Sequence, residues 1–151
     1  MKKKLLLNFE SPRERYKAEG TVVWCSDHRF SLALQVFSER MGWKNFDLIE
    51  VAGAARDLAG ASGDPDRAKY LLDQIEKSIR MNHSPEVFLM AHYNCITYGR
   101  DQMDPSDEED RFLASELEAG KKYVADYLTE AGLKAKIRLL LCDFKNIYEI
   151  E

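Results

Sequence analysis

Several things are missing from this chain, and each absence narrows what it can do. No apolar run approaches the roughly 20 residues needed to span a bilayer, so no membrane partner is expected. There is no basic excess: 22 Lys and Arg stand against 26 Asp and Glu, for a net charge of -4. Phosphate backbones require a basic footprint, so nucleic acid is not an expected partner. With only three cysteines, Cys25, Cys95 and Cys142, a disulfide framework is not expected, and no Cys-x-x-Cys phrase supports a redox dithiol. Neither a Gly-x-Gly-x-x-Gly turn nor a phosphate-binding Gly-Lys-Ser/Thr is present. Ser31 stands where a cysteine phosphatase loop would carry its arginine. The Met1-Lys-Lys-Lys-Leu-Leu-Leu start is not a secretory leader, because its apolar run stops at Leu7 and such a core needs about 7–15 apolar residues. The expected compartment is the cytoplasm.

What remains is an ordinary globular composition, 45% hydrophobic and 32% charged over 151 residues. That length builds one domain, residues 1–151, with a core that needs no staples. Hydrophobic runs alternate with helical patterns. Thr21–Cys25 reads as a buried strand, and Ser31–Met41 as a helix with Leu32, Val36 and Phe37 available for one face and Gly42 at its end. Phe46–Val51 reads as a second strand. Asp64-Pro65 then starts a helix to about Met81 that buries Leu71, Leu72, Ile75 and Ile79. Glu86–Ala91 is a third strand. Ser106 and Glu109 have the spacing of a capping box for a long helix reaching about Thr129, and Lys136–Cys142 is a fourth strand. The acidic run Asp104–Asp110 reads as a solvated helix start. Four such alternations predict an α/β fold, a mostly parallel sheet of four or more strands in the order 2-1-3-4, flanked by helices. Residues 1–20 fit either an edge strand over Leu5–Phe9 or an arm reaching a second subunit.

Two phrases carry the chemistry: Cys25-Ser-Asp27-His-Arg29 and His92-Tyr-Asn-Cys95. Both lie at the carboxyl ends of expected strands, one and three, where open α/β sheets gather ligands. Two thiols and an imidazole form the donor set of an open zinc site, with Cys25, His92 and Cys95 as ligands and a fourth position left for water. If the strand stays extended past Trp24, Cys25, Asp27 and Arg29 project to one side. Asp27 would then orient the water as a hydrogen-bond acceptor, and Arg29 would keep Asp27 ionised and in place. Two other readings stay open: Asp27 as a fourth ligand that closes the site, and Asp27–Arg29 as a structural ion pair. Of the neighbours, His28 reads as surface, His83 as a turn residue and Cys142 as core. Tyr93 and Tyr98 could line an entrance or pack.

At these residues the chain resembles a β-class carbonic anhydrase, which uses Cys-x-Asp-x-Arg followed by His-x-x-Cys. The similarity runs from about Thr21 to the C-terminus and takes in Asp47–Gly53, Glu86–Cys95 and Ile137–Ile150, the last similar to the family's final strand and hairpin-like ending. It implies Cys25, His92 and Cys95 as Zn2+ ligands and Asp27 with Arg29 as a catalytic pair. The implied activity is reversible hydration of carbon dioxide to bicarbonate, in a homodimer or higher homo-oligomer. Alternatives on the same site are hydrolysis of carbonyl sulfide or carbon disulfide, or a non-catalytic zinc-binding structural or interaction protein. The chain departs from the family pattern at Ile96-Thr97, where members usually have small residues. It departs again at Glu50–Ala54, which lacks the polar groups of the family's Arg-Asn-Ala-Gly-Asn turn.

Overall fold

The computed structural model describes residues 1–59 and 63–151. Three parallel strands form its centre because their side chains are apolar on both faces. These are β1 (Thr21–Cys25), β3 (Glu86–His92) and β4 (Lys136–Cys142). β2 (Asp47–Val51) flanks β1 in parallel, and β5 (Ile147–Ile150) closes the other edge antiparallel to β4, giving the order β2-β1-β3-β4-β5. The order of the first four strands is the expected one. The fifth is a short return after the tight turn at Asp143–Asn146, where Asp143 Oδ1 accepts from the backbone N–H groups of Lys145 and Asn146.

Residue parity along the strands sorts the core into two layers. Val23, Val87, Leu89, Ala91, Leu139 and Leu141 face α2 (Pro65–Asn82) and α3 (Asp107–Glu130). Those helices return Leu71, Leu72, Ile75 and Ile79, and Leu113, Leu117, Val124 and Leu128. On the opposite face Val22, Trp24, Phe88, Met90 and Leu140 meet α1 (Ser31–Met41) and an aromatic group of Phe37, Trp43 and Phe46. Burying each such large side chain contributes about 1.5–3 kcal/mol. Asp64 caps α2 by accepting from the N–H groups of Asp66 and Arg67, with Pro65 opening the first turn. His83 ends the helix in a left-handed conformation, φ 57°.

Three expectations change. In α1 the packed residues are Ala33, Leu34, Phe37 and Met41, whereas Leu32 and Val36 are exposed. Both sets have helical spacing, and the packed one joins the side of the core built by Val22, Phe88 and Leu140. Glu109 completes only half of a capping box. Its N–H donates to Ser106 Oγ at 3.2 Å, but its carboxylate is fully buried and takes Arg100 as partner, so this part of the acidic run is not solvated. Leu5–Phe9 forms no strand, and Leu5, Leu6, Leu7 and Phe9 are all exposed. No described helix is long and apolar enough to cross a membrane.

Candidate metal centre

The strand order reverses between β1 and β3: from these two neighbours the chain winds outward in opposite directions. Their carboxyl ends therefore open a crevice between the connections that leave them. Cys25 is the last residue of β1 and His92 the last of β3. Beyond His92 the chain turns sharply through Tyr93 and Asn94, the latter with φ 58°, and this brings Cys95 back beside them. The sulfurs of Cys25 and Cys95 and a ring nitrogen of His92 lie within 4.8 Å of one another, and all three residues are buried. These remote segments make a group that could hold a metal ion.

The donor atoms fit that use. His92 Nδ1 lies 2.8 Å from the Tyr93 carbonyl, which fixes Nδ1–H as the donor and leaves the lone pair on Nε2. Nε2 is buried with no hydrogen-bond partner among the described residues. An imidazole nitrogen so placed costs stability unless something else occupies it. Phe30 holds the ring's tilt, with centroids 4.2 Å apart. The Cys25 thiol is pulled well below its usual range, first by neighbouring Cys95 and further by the backbone N–H groups of Asp27 and Gly53. Cys95 is pushed up by Cys25 in turn and by burial. Metal ligation takes cysteine as thiolate, and two adjacent thiols beside a neutral imidazole provide that donor set.

Asp27 and Arg29 meet, though not by strand pleating as expected. β1 ends at Cys25 and the chain enters a 3-10 turn at His28–Phe30, which Asp27 caps by accepting from the Arg29 backbone N–H at 3.1 Å. The turn folds the Arg29 side chain back onto Asp27. Nε lies 3.0 Å from each carboxylate oxygen and Nη2 lies 2.6 Å from Oδ2. That guanidinium holds the Asp27 carboxyl below its ordinary value. His28 is exposed and bonds Ser31. Tyr93 and Tyr98 pack rather than line an entrance: Tyr93 is buried with its hydroxyl on Asp110, and Tyr98 stacks edge-on against Phe112. Cys142 is core, its thiol pushed up to about 12 by burial.

The sequence reading passed over Gly53, Phe30 and Asn94. Gly53 donates its N–H to Cys25 Sγ at 3.4 Å with φ 82°, and a Cβ there would lie 2.7 Å from Thr97 Cγ2. Its place in the Ala-Gly-Ala turn after β2 was the available signal. Beside the centre, a groove of about 620 Å³ runs between α1 and the β4–β5 turn. Arg29 and Phe30 reach its wall, together with exposed Leu32, Val36 and Phe144, but none of the three donor residues does.

Comparison with other proteins agrees with this geometry at the level of fold. No protein-family model matches the chain, and a search of curated proteins finds no match either. Among solved structures, isoform I of the Trichomonas vaginalis β-carbonic anhydrase is similar at a TM-score of 0.54 and 17% identity, over 95% of this chain and 87% of that one. A tetrameric β-carbonic anhydrase from the ascomycete Sordaria macrospora gives 0.56 at 15% identity, over 89% and 81%. The β-carbonic anhydrase CcaA gives 0.58 at 12% identity, over 90% and 81%. The chain thus has the β-carbonic anhydrase fold in a divergent form, with a Cys-His-Cys donor group at the carboxyl ends of its central strands.

Proposed function

We propose that this protein is a zinc enzyme that hydrates carbon dioxide reversibly to bicarbonate, with Cys25, His92 and Cys95 holding the ion. The observation that carries the reading is a His92 ring nitrogen and two thiol sulfurs within 4.8 Å of one another, with Nε2 buried and unpartnered among the described residues. Two thiolates and an imidazole are the donor set that zinc takes while keeping a position for a non-protein ligand. Bound there, zinc supplies Lewis acidity that makes water a nucleophile near neutral pH.

The chain's own groups do the rest. Asp27, ionised beside Arg29, accepts a hydrogen bond and so fixes the orientation of a reacting water. Because Arg29 engages both carboxylate oxygens, it also restrains Asp27 from turning inward to the donor group and closing it. Phe30 and the buried strand ends keep bulk water from His92. Homo-oligomeric assembly belongs to the same reading: exposed Leu5, Leu6, Leu7 and Phe9 form an apolar stretch with no cover in one chain. Light scattering would check it.

The test combines metal analysis with stopped-flow hydration of carbon dioxide. One zinc per chain and hydration above buffer are expected. Asp27→Asn should keep the zinc and lose about a hundredfold in kcat. Zinc-loaded protein inert toward carbon dioxide would sink the reading, and carbonyl sulfide turnover in the same sample would redirect it.

A further inference from the structure

Arg29 reaches beyond Asp27. A guanidinium has five N–H donors in a rigid fork, and here the fork spans both site segments. Nε and one side of Nη2 hold Asp27, two residues after Cys25. Nη1 donates to Asn94 Oδ1 at 3.0 Å, and Nη2 donates to the Asn94 carbonyl at 3.0 Å. Asn94 stands between His92 and Cys95. We propose that Asn94 is a positioning residue: from the segment that carries His92 and Cys95, it locks the Arg29 guanidinium and, through it, the Asp27 carboxylate. The purpose of that lock rests on the roles given to Asp27 and Arg29 above; the lock itself does not.

The second anchor is needed. The Arg29 side chain is 48% exposed, and an ion pair so open to water does not hold a long side chain in one geometry by itself. Its aromatic neighbours add little, since the guanidinium carbon lies 5.9 Å from the Phe30 centroid and 5.8 Å from that of Phe144, the outer limit for a cation over a ring. Asn94 alone meets Nη1 among the described residues. Its identity suits two jobs at once. Asparagine tolerates the left-handed backbone that the turn imposes, φ 58°, and its amide oxygen accepts from a cation. Glycine performs the first job and not the second. That difference makes the test clean.

In zinc-loaded protein, nitrogen-15 NMR of the Arg29 guanidinium reads the lock directly, without substrate. The wild-type Nη groups should rotate slowly. In Asn94→Gly the backbone carbonyl still holds Nη2, but Nη1 should rotate at least about tenfold faster, since a charge-assisted hydrogen bond no longer opposes its motion. Zinc content should not change. Asn94→Asp, which restores an acceptor and accepts the same backbone, should restore slow rotation. If hydration is present, kcat should fall about tenfold in Asn94→Gly with KM unchanged and recover in Asn94→Asp. Unaltered Nη1 rotation in Asn94→Gly would overturn the inference whatever the activity. Faster rotation in a protein with no hydration activity would uphold it and count only against the proposed function. Should Asn94→Gly fail to fold, Arg29→Lys probes the contact from the other side and leaves the turn alone. The Asn94 side-chain amide resonances should shift in that variant, and unmoved resonances would overturn the inference.

Discussion

The two ends of the parallel strands treat their polar atoms in opposite ways. At the amino end every buried donor and acceptor is consumed locally. Thr21 Oγ1 bonds Ser78 at 2.6 Å and Ser84 at 2.8 Å, and Ser84 passes its hydroxyl on to the Glu86 carbonyl. Asp47 accepts from Tyr16, Ser78 and Asn82. Among the described residues, the buried side-chain polar atoms without a hydrogen-bond partner, Trp24 Nε1, Arg56 Nε, His92 Nε2, Tyr98 Oη and Glu109 Oε1, all lie away from that network. A fold can place polar groups inside at modest net cost when they satisfy one another. One end of the sheet is thus finished by the chain alone, and the other carries a Cys-His-Cys group that could hold a metal ion.

Three experiments sharpen or break that contrast. The largest expected effect is metal removal. With free zinc at a thousand times its Kd, chelation should cost about 4 kcal/mol of stability, read as a drop in Tm. The metal-free protein should still unfold cooperatively, because both sheet faces carry a full core. A chain that loses its fold on chelation would show that the carboxyl end is a structural staple. Next, Cys95→Ser should weaken zinc binding by more than about a hundredfold, beyond what loss of a supporting hydrogen bond costs. Competitive chelator titration measures this, and the metal-free variant should melt close to the metal-free parent. Smallest is Asp47→Ala, which strands the donors of Tyr16, Ser78 and Asn82. It should cost about 1–3 kcal/mol in urea unfolding and leave zinc affinity untouched. Weakened zinc binding in that variant would mean the two ends are not independent.

Much of this was visible in residue order. Strand and helix bounds fall within a residue or two of expectation, because period and caps coincide at Asp64-Pro65, Ser106 and the left-handed residues that close α1 and α2, Gly42 and His83. The two phrases also pointed to a donor group at the ends of β1 and β3. What stayed hidden depends on the third dimension. Leu32 and Ala33 are adjacent, and only the packing of α1 decides which faces inward. Glu109 looks like one more solvated acid until Arg100 is folded over it. The Asp27–Arg29 contact was expected from an extended chain and is made by a turn, since a capped 3-10 segment can oppose residues i and i+2 as well as a pleat can. Gly53 could not be read as a thiol's hydrogen-bond donor, because Cys25, which accepts from it, lies 28 residues away in sequence.

His92 is part of the β3 ladder, in register with Cys142 of β4, and Cys25 closes β1 against Val51 of β2. Cys95 has no such rung and hangs on the bend that follows. The grip therefore has two fixed jaws and one hinged one. An ion held there would meet at Cys95 its one donor outside the sheet, the other two being carried by strands paired to their neighbours.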